Sequence, residues 1–156
     1  MIDKTEELLA LAADPAQRMD IAEAFLYEAG EAARPTFDVF QEVVNKGQRI
    51  YVPEADELLL DIDNTAQELK FERAIRLWEI VCNDKLRVKR FPSKTVGHWH
   101  FSVKHPSFIP ITTAQKIVNQ VFLGSDSLKE YLSHIRCTLG VTYPIRLFNV
   151  PGLVWG

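Results

Sequence analysis

Cysteine is scarce in this chain, two in 156 residues, and that alone excludes a disulfide framework. Cys82 and Cys137 stand far apart among apolar neighbours, which suits small core residues and leaves no thiolate pair for a structural zinc. No apolar run reaches membrane-spanning length. The opening Met1-Ile2-Asp3-Lys4-Thr5-Glu6-Glu7 also lacks the basic and apolar regions of a signal peptide. The expectation is a soluble protein of the reducing cytoplasm, with no membrane partner. Internal repeats and low-complexity segments are absent too. Acidic residues are missing from Lys85 to Ser125, whereas residues 1–84 carry 19 acids against 8 Lys and Arg. The two parts of the chain therefore bear charges of −11 and +8. The second part offers either a positive surface that favours phosphates or a solvated strand face balanced by the acidic half.

What is present fits one globular domain with a small appendage, since 47% of the residues are hydrophobic and 25% charged. Residues 1–47 read as a helical N-terminal segment. A short helix spans about Glu6 to Ala12. Asp14-Pro15 then opens another, whose Met19, Ala22, Phe25 and Leu26 recur at helical spacing up to Gly30. Phe37, Phe40, Val43 and Val44 mark a further helix that Asn45-Lys46-Gly47 ends. From residue 48 to 156 the pattern changes. Ile50 to Val52 is a short extended piece and Glu57 to Ile62 a strand. Thr65-Ala66-Gln67-Glu68 has the form of a capping box for a helix to Cys82, with Phe71, Ile75, Trp78 and Cys82 on one side. Leu86 to Phe91 and Trp99 to Lys104 read as strands. Thr112 or Thr113 caps a helix carrying Ile117, Val118, Val121 and Phe122. Ser127-Leu128-Lys129-Glu130 is a second capping box, and Ile145 to Val150 a last strand. The order strand, helix, strand, strand, helix, strand predicts an α+β fold, a ferredoxin-like or RNA-recognition-like βαββαβ sheet with one face open.

The run Leu58-Leu59-Leu60-Asp61-Ile62-Asp63-Asn64 carries the chemistry. Alternate side chains of a strand share a face, so Asp61 and Asp63 project together while Leu58, Leu60 and Ile62 enter a core. Two adjacent carboxylates repel unless a cation lies between them, and oxygen ligands suit a hard divalent ion such as magnesium or manganese. Asp63 and Asn64 equally suit a turn that caps the next helix. His100 lies opposite in phase to Trp99, Phe101 and Val103 and can share the face of Asp61. Trp78, Phe91, Trp99 and Phe101 read as core or as base-stacking platforms. The terminal Pro151-Gly152-Leu153-Val154-Trp155-Gly156 reads as a docking tail or a strand packed on the sheet.

Taken in order, the Asp61/Asp63 pair, the segment Ser93-Lys94-Thr95-Val96-Gly97-His98-Trp99-His100 and Asp126 in Leu123-Gly124-Ser125-Asp126 resemble the archaeo-eukaryotic primase-polymerase superfamily, in particular compact versions carried by phages. The resemblance covers residues 48–152. It implies a nucleotidyltransferase that uses nucleoside triphosphates and a single-stranded DNA or RNA template in the cytoplasm, the host's for a phage protein. Asp61, Asp63 and Asp126 would hold Mg2+ or Mn2+, and Asp61, Asp63 and His100 would be catalytic. Ser93, Lys94, Gly97, His100 and Arg136 would bind the nucleotide. Thr95 and Val96 lengthen the turn relative to the usual pattern, and Asp126 also suits a helix cap. The N-terminal helices would face a replication partner. Two alternatives stand beside this reading. One is a catalytically inactive replication accessory that binds nucleic acid or a partner. The other is a two-histidine phosphoesterase, from the H-x-S form of His100-Phe101-Ser102, for which His105 and His134 make poor second motifs. A zinc site of His98, His100 and His105 lacks cysteine partners.

Overall fold

The structure, a computed structural model, describes residues 6, 30–93 and 95–148. The two earliest predicted helices, Lys94, residues 149–150 of the last predicted strand and the terminal tail lie outside the described residues. The fold is α+β. Its elements run α1 (Thr36–Asn45), β1 (Ile50–Tyr51), β2 (Glu57–Ile62), α2 (Thr65–Cys82), β3 (Arg87–Pro92), β4 (Trp99–Lys104), a 3-10 turn (Pro106–Phe108), α3 (Thr113–Phe122), α4 (Ser127–Thr138) and β5 (Leu147–Phe148). No helix among the described residues is long and apolar enough to cross a membrane.

Strand β4 is central, with β2 and β3 antiparallel on either side, and β1 pairs separately with β5. The alternation in β2 works as the sequence indicates. Leu58, Leu60 and Ile62 share one face with Phe101 and Val103 of β4, and α2 closes that face with Phe71 and Ala74. The Phe71 and Phe101 rings meet edge to face at 4.6 Å. Each of the Leu, Ile, Val and Phe side chains here contributes about 1.5–3 kcal/mol by leaving water, so this layer holds β2 in place.

The opposite face is not open along its length. Leu59 is fully buried there under Tyr51, Ile117, Ile145 and Leu147, with Phe91 and Cys137 at the margin. The β1–β5 ribbon thus covers the middle of the sheet, and what remains near solvent is the end that carries Asp61 and His100. Phe40 and Val43 of α1 pack on Ile50 of β1, with Phe148 beside them.

Among the described residues the outer edge of β2 has no strand beside it. Its backbone groups are met by side chains instead: Leu59 N–H donates to Gln120 Oε1 at 3.1 Å and Asp61 N–H to Ser125 Oγ at 3.0 Å, while Lys129 Nζ donates to Leu59 O at 2.7 Å. The Asp126 N–H completes the set on Asp61 O at 2.8 Å. Buried edge groups left without partners would be costly, so α3 and α4 turn polar residues inward. This explains a departure from the apolar pattern of α3. Lys116, Ile117 and Gln120 are its buried residues, whereas Val118, Val121 and Phe122 face solvent.

Both Ser/Thr capping boxes begin one residue earlier than their pattern indicates. Asn64 caps α2 by accepting from Gln67 N–H, and Asp126 caps α4 by accepting from Lys129 N–H, in keeping with the strength of Asn and Asp at this position. Thr112 and Gln115 do form a reciprocal box on α3. Cys82 is exposed, not a core residue, because it lies on the last turn of α2 beyond the sheet; Cys137 is half-buried.

Candidate metal centre

Asp61, Asp63 and Asp126 each offer a carboxylate oxygen, and the three oxygens lie within 4.8 Å of one another. Two of these residues come from the end of β2. The third arrives from 63 positions further along the chain, held by its own N–H on Asp61 O and by its cap on α4, where Oδ2 accepts from Lys129 N at 3.0 Å. The cap and the cluster are compatible, because one carboxylate has two oxygens and several lone pairs.

A buried polar network sets this position. Glu130, 1% exposed, accepts from Gln120 Nε2 at 2.7 Å, from Ser125 Oγ at 2.9 Å and from Lys129 Nζ at 2.8 Å. The same Gln120, Ser125 and Lys129 bind the edge of β2. Glu130 therefore ties α3, α4 and β2 together directly behind the acids. Gly124 makes the approach to α2 feasible: its φ is +94°, and an added Cβ would stand 2.9 Å from Gln67 O and 3.3 Å from Phe71 N.

Two imidazoles complete the site. His98 Nδ1 lies 2.8 Å from Asp63 Oδ1, and the Asp63 N–H donates to Gln67 Oε1 at 2.6 Å, so Asp63 is fixed from both sides. His100 is opposite Asp61 in the β2–β4 register. Its Nδ1 stands 3.7 Å from Asp61 Oδ1, too long for a hydrogen bond, and is buried without a partner among the described residues. Burial, then the charge of Asp63, and more weakly that of Asp126, push the Asp61 carboxyl up to about 7, with Lys129 pulling the other way. Burial first and Lys129 second lower the pKa of His100, which favours its neutral form. A group of three acids, two of them buried and the third holding its proton near neutrality, is an arrangement a cation would relieve. The donor set fits a hard divalent ion: all three ligands are oxygens on two rigid elements.

The structure brings Asp61, Asp63, Asp126 and His100 together. Ser93 and Gly97 lie in the β3–β4 turn at the same end of the sheet, since Trp99 faces Ile62 and Pro92 across the register. That turn is tied internally, Ser93 N–H to His98 O at 3.0 Å and His98 N–H to Thr95 O at 3.1 Å, so these two amides are not open to a phosphate. Arg136 is not at the site. It follows Asp126 by ten residues on α4, about 15 Å along the helix, and its Nη1 donates to Pro144 O at 3.2 Å. His98 and Lys129 were not singled out from the sequence as members of the site. Each had a signal: His98 stands two residues before His100, and Lys129 lies in the first turn of the helix that Asp126 caps.

The other motifs resolve into structural contacts. Ser102 is buried and its hydroxyl donates to Glu57, which also accepts from Tyr51 OH. The serine of the H-x-S form is thus turned away from any phosphate. His105 bonds Asp84 Oδ2 at 2.7 Å and Ser107 Oγ at 2.6 Å, at the far end of β4 from His98 and His100. Phe101 is core, Trp78 packs against the core, Phe91 is half-buried, and Trp99 is partly exposed. A groove of about 680 Å³ lined by Phe37, Phe40, Val44, Ile50 and Tyr143 lies elsewhere, between α1 and the segment after α4, and carries no carboxylate or imidazole. Comparison of the chain with protein-family models, with curated proteins and with solved structures finds no match in any of the three.

Proposed function

We propose that the protein is a metal-dependent nucleotidyltransferase of the primase-polymerase kind, acting on nucleic acid with nucleoside triphosphates. The observation that carries this reading is the meeting of three carboxylates from β2 and the start of α4 within 4.8 Å, with His100 beside Asp61. The strand order β2-β4-β3 with α2 crossing from β2 to β3 supports a ferredoxin-like or RNA-recognition-like core, in which side chains of α3, α4 and the turn between them meet the edge of β2 where a fourth strand would pair.

Asp61, Asp63 and Asp126 would hold Mg2+ or Mn2+. Such an ion lowers the pKa of an attacking hydroxyl and offsets charge on a triphosphate. The chain's own groups do the rest. His98 and Gln67 orient Asp63, Glu130 and Ser125 fix the backbone from which Asp61 projects, and neutral His100 presents a ring to an incoming phosphate oxygen. Arg87 and Lys89 share the His100 face of the exposed strand β3 and offer positive charge to a nucleic-acid backbone, Arg87 beside Asp56 at 3.6 Å, whereas Arg90 lies on the other face against Phe101 and Glu68.

That basic strand also favours the second reading, a replication accessory that binds single-stranded nucleic acid without catalysis. One assay separates the two. Primer extension with Mn2+ is expected for the native chain and lost in Asp61→Ala, whereas single-strand binding unaffected by both Asp61→Ala and chelator, with no extension, selects the accessory.

A further inference from the structure

We propose that Arg136 and Arg146 form an oxyanion site, taking a phosphate or carboxylate group, where α4, the segment before β5 and the start of α1 meet. Arg146 is 6% exposed. Its guanidinium carbon lies 5.4 Å from the Phe40 ring centroid and 6.0 Å from that of Phe148. Aromatic rings cover the faces of a guanidinium, but its N–H bonds point outward in the plane and still require acceptors. Among the described residues Arg146 makes one hydrogen bond, Nη1 to Thr36 Oγ1, long at 3.4 Å. Its Nε is buried without a partner, and so is that of Arg136.

Among the described residues neither arginine forms an ion pair with a carboxylate. Glu130 is the acid whose charge reaches Arg136, and its oxygens are taken by Gln120, Ser125 and Lys129. The two cations also act on one another: Arg146 is lowered to about 10, by burial first and by the charge of Arg136 second. Arg146 is buried and Arg136 half-buried, each has an Nε without a partner among the described residues, and Arg136 is held at Pro144 O, two residues before Arg146; with no acid paired to either, this calls for an anion that accepts from both. The planar forks suit an oxyanion, which takes such bonds in pairs. Access is at hand. Thr36, which holds the long contact, also lines the 680 Å³ groove, so an anion replacing that contact would enter from there.

This site is independent of the metal centre, which lies at the other end of α4. Inorganic phosphate titrated into the full chain in EDTA, against chloride at equal ionic strength, tests it by calorimetry and thermal unfolding. Saturable one-to-one binding with a raised midpoint is expected. Arg146→Met should weaken it at least tenfold, and Asp61→Asn should leave it within twofold. Should Arg146→Met fail to fold, Arg136→Gln is expected to show the same tenfold loss. Acetate in a parallel titration names the ligand: whichever of phosphate and acetate binds tighter identifies the group the site takes. No binding of either above the chloride background, equal binding by Arg146→Met or, in its place, Arg136→Gln, or binding lost in Asp61→Asn overturns the proposal.

Discussion

Asp61→Asn removes one charge from the acidic cluster while keeping the side chain's shape, and it should make the cation-free protein more stable. The Asp61 carboxyl moves from an ordinary 3.8 to about 7 in the folded chain. A folded-state pKa above the unfolded one means that the folded protein binds more protons between those values. Stability from this group is therefore fully present below pH 4 and is lost as pH rises through 7. At 1.36 kcal/mol per pH unit the whole loss is about 4 kcal/mol as an upper bound. Partial exposure reduces it, leaving on the order of 2 kcal/mol. For a domain of this size that is a rise of about 4–8 °C in Tm at pH 8. Thermal unfolding of both proteins in EDTA from pH 4 to 8 measures it, because other carboxylates cancel in the difference. The advantage of Asp61→Asn should be near zero at pH 4 and grow steadily. Adding Mn2+ at pH 8 should reverse the ranking, since saturation at a hundredfold over Kd stabilises the native chain by about 2.7 kcal/mol and the variant lacks a ligand. A variant no more stable than the native chain at pH 8, or a difference that does not grow with pH, refutes the account of Asp61. Equal Mn2+ responses refute the ligand set.

Glu130→Ala leaves the Lys129 ammonium, the Gln120 amide and the Ser125 hydroxyl without their shared acceptor. Chemical denaturation should show a loss of about 3–5 kcal/mol, since breaking a buried pair by removing one partner strands a charge. Gly124→Ala places a methyl group 2.9 Å from Gln67 O at a φ that side chains avoid. It should lower stability by on the order of 2 kcal/mol and weaken Mn2+ binding, read by calorimetry, because Asp126 follows two residues later. Phe101→Ala empties the centre of the sheet's apolar face and should reduce stability by about 3–5 kcal/mol in the same denaturation assay.

Much of the framework was legible in the residue order. The bounds of β2 and β4, the end of α2, the end of α1 and the facing of His100 toward Asp61 follow from alternation, helical spacing and Asn45-Lys46-Gly47 as a stop. Local geometry over a few residues decides these, so a short window contains the information. The inward turn of Gln120 and Glu130 was not legible. On composition α3 ought to bury Val118 and Phe122, and α4 ought to use Glu130 as a cap partner. Both choices yield to the backbone groups on the edge of β2, about 60–70 residues away in the chain.

The sequence by itself determined that Asp61 and Asp63 would stand side by side, because a strand's side chains repeat every two residues and nothing distant can alter that period. It left Asp126 between a helix cap and a ligand, and Arg136 at a site it does not reach. Only the tertiary structure decided that Asp126 caps α4 and also joins the acidic cluster, that His98 braces Asp63, and that Arg136 reaches Pro144 O, two residues before Arg146, instead. These are pairings across long stretches of chain, set by which polar groups must find partners once the core has closed.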